Sequence, residues 1–437
     1  MTISKGYFFM TKYSESDVIS FVSDNDVQFI RLAFVDLFGN LKNLAILPSE
    51  LHTALTTGMP LDASLFYGTD DYSHGDIYLV PDPATLSVLP WRPRAGRVVR
   101  FFCNLKNYDG TPFRGDIRAR LRGTADKLSM NGYNCTVGTE AQFYLFELDS
   151  DGNPTKKTND RAGYLDVSPL DHGENIRREI CLSIDEMEIK PETSRHLHGN
   201  GQNEITFKSG DVLAAADNTL NFKTAVRSIA AQNGLHASFM AYPLRTQPRS
   251  SFFLNLSIEK HGQNIFTVTD GKVSEDGGHF IAGILNRMSE IALFLGPTTN
   301  SYFRNGMVEE HTYINWALER RDAALRIVNS CLSGERLEIR CADPSSNIHL
   351  ILDLILKAGM EGIENKLPLP EQNLTGSLLP QSLREAVEKS ENSEFIRNNL
   401  SDFAFEKMFR RLKERIVGYE AEEDKEKFED KAYFYSI

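Results

Sequence analysis

Charged and amide side chains recur at every second position in three separate stretches of the sequence. Over residues 133–148 the alternation gives Thr136, Gly138, Glu140, Gln142 and Tyr144 one face, and Val137, Ala141, Phe143 and Leu145 the other. Over 335–342 it sets Arg336, Glu338 and Arg340 against Leu337, Ile339 and Cys341, and Gln202, Glu204 and Thr206 share a third face. Carboxylates gathered in this way hold divalent cations, and the planar fork of arginine grips two oxygens of a carboxylate or phosphate at once. The same residues also suit a plain ion-pair network within a sheet, so the pattern alone leaves both readings open. Over 250–258, Phe252, Leu254, Leu256 and Ile258 point to a core, while Ser251, Phe253, Asn255 and Ser257 point the other way, where an exposed Phe253 is out of place. His196 and His198 flank Leu197; the pair reads either as hydrogen-bonded surface histidines or, with a one-residue bulge, as a metal ligand.

These faces need a framework, and the sequence supplies one. A capped helix near Ser14 precedes two alternating strands over 27–47 that turn at Phe38-Gly39-Asn40. Residues 60–93, rich in Asp, Gly, Pro and Ser, read as a long loop. From Asp116 onward helices and strands alternate. A helix over 116–131 stops at Gly132, and Asp171-His172-Gly173-Glu174 has the form of a capping box before a stripe of Ile176, Ile180, Ile184 and Met187. A helix over 212–231 leads through Gly234 into a strand, a helix over 279–295 is closed by Gly296-Pro297, and the charged run 420–431 reads as a solvated face.

The chain has 437 residues, 41% hydrophobic and 25% charged, which predicts a globular protein of two or three domains and excludes a mainly disordered one. Five cysteines without CxxC spacing indicate neither a zinc site nor a disulfide framework. A formal charge of -12, from 60 acidic against 48 basic residues, argues against a nucleic-acid partner. No apolar run is long enough to span a bilayer and the first residues lack a signal-peptide core, so a cytoplasmic location and no membrane partner are expected.

Taken together, FIRLAFVDLFGN, LDAS, GDIYLVPDP, LPWRP, GTEAQFYLF, YLDVSPLDHGENIRREI, GQNEI, ASFMAYP, NSYFR, ERRDAALRI and RLEIRCADPSSN resemble the glutamine synthetase family, class I, in order and over nearly the whole chain. The resemblance implies an α+β fold: an N-terminal β-grasp domain and loop over 1–105, and a catalytic domain over 106–437 with a curved, mainly antiparallel sheet flanked by helices. It implies an ATP-dependent carboxylate–amine ligase of the glutamate–ammonia type, working through an acyl phosphate in nitrogen metabolism. It also implies a homo-oligomeric ring with sites shared between subunits.

Carried over residue by residue, the family's ATP-side cation would be held at Glu140, Phe253 and Glu338, and the substrate-side cation at Gln142, Leu197 and Glu204. Three of these six positions have lost the usual ligand, since neither a phenyl ring nor an isobutyl group has a lone pair for Mg²⁺ and a neutral amide oxygen is weaker than a carboxylate. One Mg²⁺, on Glu140 and Glu338 with ATP phosphates completing its shell, is the expectation. Arg304 and Arg340 match the arginines for substrate carboxylate, Arg321 the one for the transferring phosphate, and Arg326 and Arg336 those for nucleotide. Asn255, the last residue of RSSFFLN where the family has a glycine-rich, histidine-bearing loop, and Ser257 just beyond it fall on the nucleotide side. Asp62 matches the acid that receives ammonium, although an Asx-turn explains it as well. Glu309 or Glu310 matches the flap glutamate. Two functions are compatible with this set: a ligase of altered carboxylate and amine substrates, or an inactive homologue that binds a small molecule or joins an active paralogue as a structural or regulatory subunit.

Overall fold

The computed structural model describes residues 13–68, 74–92, 96–304, 311–329, 334–372 and 375–437. The chain divides into two compact units, one of residues 1–36 and 41–116, the other of 37–40 and 117–437.

In the first unit the helix Glu15–Asp24 is opened by a capping box in which Ser14 and Asp17 each satisfy the other's backbone N–H. The strands Val27–Val35 and Leu41–Ile46 pair antiparallel. Gly39, at φ +83°, makes the turn between them in a conformation that a residue with a Cβ rarely adopts. A mixed sheet runs in the order Leu41–Ile46, Val27–Val35, Arg97–Lys106, Ile77–Pro81, Met59–Leu61, with Ser87–Val88 also on Arg97–Lys106. The expected loop over 60–93 is therefore only partly a loop. Ile77, Leu79 and Pro81 alternate inward, a short period that the surrounding Asp, Gly and Pro conceal in the sequence.

The second unit is built on two sheets. One runs Gly210–Asp211, Tyr133–Ala141, Phe252–Lys260, Arg336–Ala342, Leu325–Val328, Trp316–Leu318, antiparallel except between the last two. The other runs Pro191–His196, Gln202–Phe207, Phe143–Leu148, Leu235–Ser238. The single strand expected over 133–148 is thus two strands, broken at Gln142, where the chain passes from one sheet to the other. Gln142 N–H donates to the Ser251 carbonyl, and the Ser251 N–H returns a bond to Gln142 Oε1 at 2.7 Å, so both backbone N–H groups at the break are paired.

Helices cover these sheets. Glu275–Leu295 and Ile348–Glu364 pack so closely that a Cβ on Gly283 would lie 2.1 Å from the Ala358 carbonyl oxygen. No helix among the described residues is long and apolar enough to cross a membrane.

Two local expectations are corrected. Asp171 does not cap the helix Glu174–Glu186; the N-cap is Gly173, without a side-chain bond, and Asp171 instead forms a buried two-point ion pair with Arg177 at 3.1 and 2.5 Å. A charge-assisted fork is the stronger use of that carboxylate. The run 420–431 is not wholly solvated either. Glu429 is buried on Arg245 (2.7 Å) and Asn300 (3.0 Å), and just beyond it Tyr433 and Phe434 enter an apolar cluster with Tyr144, Phe146 and Met240.

Candidate functional site

In the second unit residues of six strands converge on a cavity of about 760 Å³, lined among others by Glu140, Gln142, Glu204, Phe253, Arg326, Arg336, Glu338 and Arg340. Strand register explains the convergence. Phe253 stands opposite Glu140, while Asn255 and Arg326 each stand opposite Glu338 on either side of the strand Arg336–Ala342. Of the faces read from alternation, Glu140, Gln142, Gln202, Glu204, Thr206, Arg336, Glu338 and Arg340 line this cavity, whereas Tyr144 lies in the core.

At one end Glu338, 2% exposed, is gripped by two guanidinium groups. Arg326 holds both of its oxygens, at 2.7 and 3.0 Å, and Arg340 reaches Oε1. Burial alone would raise the Glu338 pKa, but Arg326 and Arg340 outweigh it and hold the carboxyl below its ordinary range. Glu140 behaves oppositely. Burial, with the Glu204 and Glu338 charges nearby, pushes it up to about 7, against a 2.8 Å bond from the Asn255 amide. Asn255 in turn accepts from Arg336 at 2.9 Å and so links Glu140 to the arginine cluster. Phe253 is not exposed as its alternation suggested. It is 3% exposed, because the Arg340 guanidinium lies over its ring, 4.2 Å from the centroid.

At the other end Gln142 Nε2 donates to Glu204 at 3.1 Å, Gln202 donates to Gln142 Oε1 at 3.4 Å, and Arg195 forms an ion pair with Glu204. The Arg195 charge is felt by Glu140 as well. Leu197 lines the same wall, and His198 stacks face to face on Tyr164 with centroids 4.4 Å apart. His196 turns away, buried between Asp160 (3.1 Å) and the Leu197 carbonyl (2.8 Å). Arg195, Tyr164 and His311 are lining residues that the sequence reading missed. Only Arg195 left a signal: it pairs in register with Glu204 across the short connection 197–201, and recognising 191–196 as a strand would have exposed it.

The remaining expected residues are dispersed. Arg321 lines the cavity, and its backbone carbonyl accepts from Arg340 Nε at 3.0 Å. Arg304 is not a lining residue; its Nη1 donates to the Ser301 and Phe303 carbonyls, both at 2.8 Å. Ser257 is approached by the Asn264 amide at 3.4 Å and lies outside the lining. Asp62, in the first unit, is exposed and accepts from the Ser64 N–H at 2.8 Å, an Asx-turn. Glu309 and Glu310 lie outside the described residues.

Residues 114–430 match the family model for the glutamine synthetase catalytic domain, and residues 26–108 that for its beta-Grasp domain. This chain belongs to the glutamine synthetase family. It is 40% identical over 416 residues to the glutamine synthetase of Clostridium saccharobutylicum, covering 91% of this chain and 93% of the relative. To that of Methanosarcina mazei it is 36% identical over 411 residues, covering 90% and 92%. Two solved structures share the fold. A GmaS–ADP complex superposes with a TM-score of 0.84 at 23% identity, covering 95% of this chain and 99% of that one, and the cryo-EM structure of Plasmodium falciparum glutamine synthetase with 0.83 at 21%, covering 93% and 96%. The first unit is accordingly the β-grasp domain and the second the glutamine synthetase catalytic fold.

Glutamine synthetases use ATP and divalent metal ions, and the residues present here can be tested against such an ion. They do not fit one. Glu338 has both oxygens committed to arginines, Glu140 has its carboxyl pushed up to about 7 by burial and accepts from Asn255, and Phe253 offers no donor. Glu204 carries Arg195, and the Gln142 amide turns its N–H, not its oxygen, toward Glu204. Among the described residues, three potential metal-ligand atoms come within 4.8 Å of one another only at Asp160, Asp171 and His196, none of which lines the cavity. There Asp160 accepts from the Gly201 N–H at 2.9 Å and from His196, and Asp171 is held by Arg177, so that group is internally paired.

Proposed function

We infer that this member of the glutamine synthetase family binds a small carboxylate- or phosphate-bearing molecule in the catalytic-domain pocket without a divalent cation, and that it does not make glutamine at an appreciable rate. The observation that carries this reading is the pairing of the site carboxylates with fixed cations: Arg326 and Arg340 on Glu338, and Arg195 on Glu204. A guanidinium supplies positive charge permanently, yet it has no empty orbital to take an oxygen lone pair and so would not supply the Lewis-acid chemistry of a divalent cation. Phosphoryl transfer to a carboxylate depends on that chemistry at the transferring group. What the pocket retains is recognition. Arg321 and Arg336 line it with planar forks suited to oxyanions. With L-glutamate, ammonia, ATP and Mg²⁺ the protein is expected to release phosphate no faster than a buffer control; sustained Mg²⁺-dependent release would overturn the reading.

A second reading is favoured by the convergence of Arg321, Arg326, Arg336, Arg340, Glu140 and Glu338 on one cavity. It is an ATP-dependent carboxylate–amine ligase of altered substrate, using one Mg²⁺ between Glu140 and Glu338. Calorimetric titration of ATP separates the two. Tightening by Mg²⁺ in the parent that disappears in Glu338→Gln supports the ligase, whereas affinities indifferent to Mg²⁺ support the cation-free pocket. As in the family resemblance, the chain is further expected to form closed rings, alone or with an active paralogue, with Asp62 serving the neighbouring subunit.

A further inference from the structure

His311 is 3% exposed and lines the pocket, yet neither of its ring nitrogens has a hydrogen-bond partner. The Asp322 backbone lies close enough to favour the protonated ring as a hydrogen-bond acceptor would, yet neither nitrogen meets it with hydrogen-bond geometry. A buried imidazole left unpaired is costly, because its donor and acceptor have given up water for nothing. Groups of this kind persist where something absent from the free protein completes them.

The surroundings state the sign of that partner. Three positive charges act on His311, those of Arg340, Arg249 and Arg304, against the Asp322 carboxylate, which also lines the pocket and is coupled to the ring. Burial together with these arginines pushes the imidazole down to about 3, so at neutral pH the ring is uncharged and presents one N–H and one bare nitrogen. Both nitrogens are closed to bulk water in the free protein and neither has a hydrogen-bond partner there, so a rotation that offered the N–H to the cavity would give up no such bond.

We propose that His311 is a direct ligand-binding residue, donating a hydrogen bond to an anionic oxygen of the carboxylate or phosphate seated among the pocket arginines. This rests on the reading of the pocket as an oxyanion site. The arginines provide charge that any anion satisfies. The neutral imidazole provides a directed bond, and so it helps decide which oxyanion is accepted and in what orientation.

The test compares the parent, His311→Leu and His311→Asn by calorimetric titration with three probes, glutarate, L-glutamate and inorganic phosphate, and by thermal unfolding of the free proteins. For the probe that binds, Leu should weaken affinity roughly tenfold to a hundredfold, as expected for loss of a hydrogen bond to a charged group. Asn, which keeps a donor near the same place, should recover part of the loss. The free His311→Leu protein should melt at or above the parent's midpoint, because an unpaired polar group has been removed. Phosphate binding without glutarate or glutamate binding would identify the oxyanion as phosphate, and the reverse as carboxylate. Equal affinities across the three proteins would overturn the proposal while leaving the oxyanion pocket standing. So would a Leu variant that melts earlier or fails to fold, since that shows a structural role. A parent that binds none of the probes would overturn both.

Discussion

Glu338 and Glu140 stand in one cavity with opposite electrostatic fates, and each gives a measurable consequence. Alternation in the sequence set Glu338 on a polar face with Arg336 and Arg340; the structure shows it buried between Arg326 and Arg340. Glu338→Ala strands two buried guanidinium groups and should cost about 3–5 kcal/mol in chemical denaturation, the usual scale for breaking a buried pair from one side. A loss under about 1 kcal/mol would show that the pairs are solvated in practice. The sign with pH follows from the depressed carboxyl: its stabilisation is present above the ordinary value of 4.5 and is lost as pH falls through the lower folded value. For Glu140, raised to about 7, the folded state holds the proton that the unfolded state has released, so stability declines as pH rises from 4.5 to about 7. Glu140→Gln removes that decline. The variant should match the parent near pH 4 and exceed it at pH 8 by about 1–3 kcal/mol, a range discounted because the carboxylate borders the open pocket. Parallel unfolding profiles from pH 4 to 8 would contradict this. Legibility at this scale was uneven. Period-2 alternation was enough to bring Glu140, Gln142, Glu204, Arg336, Glu338 and Arg340 to one cavity, and the family resemblance added Arg326. Arg195 was hidden by the eye-catching histidines beside it, and His311 follows no periodicity that a sequence could display.

At the scale of elements, the long periodic segments were read with ease because burial enforces their pattern. The helices Val212–Gln232 and Glu275–Leu295 and the strand Phe252–Lys260 lie where their apolar spacing put them. What failed were the transitions. The break at Gln142 leaves alternation almost undisturbed, because the chain stays extended as it changes sheets, and only the partner strands reveal it. Composition misled twice: Pro and Gly disguised the strand Ile77–Pro81, and charge disguised the last segment, whose Tyr433 and Phe434 close a core cluster. Phe434, 2% exposed, packs edge-on against Phe146 at 5.0 Å. Phe434→Ala should therefore lower stability by about 3–5 kcal/mol, as buried phenylalanine truncations do. A surface-like change below about 0.5 kcal/mol in urea unfolding would show that the segment is not part of the core.

For the whole molecule the family relationship makes assembly and chemistry separable questions. If the ring is retained, light scattering should report a closed oligomer over a wide concentration range, and a persistent 49.3 kDa monomer would refute it. Retained assembly says nothing about catalysis, which depends on whether fixed guanidinium groups have displaced the divalent ion from the carboxylates. Calorimetric titration of glutarate, L-glutamate and inorganic phosphate, each in EDTA and again in excess Mg²⁺, addresses that point directly. The probe that binds should do so with dissociation constants agreeing within about twofold between the two conditions, a difference well under 1 kcal/mol. Binding seen only with Mg²⁺, or tightened by it about tenfold or more, would mean that the pocket still holds the ion and would contradict the cation-free account.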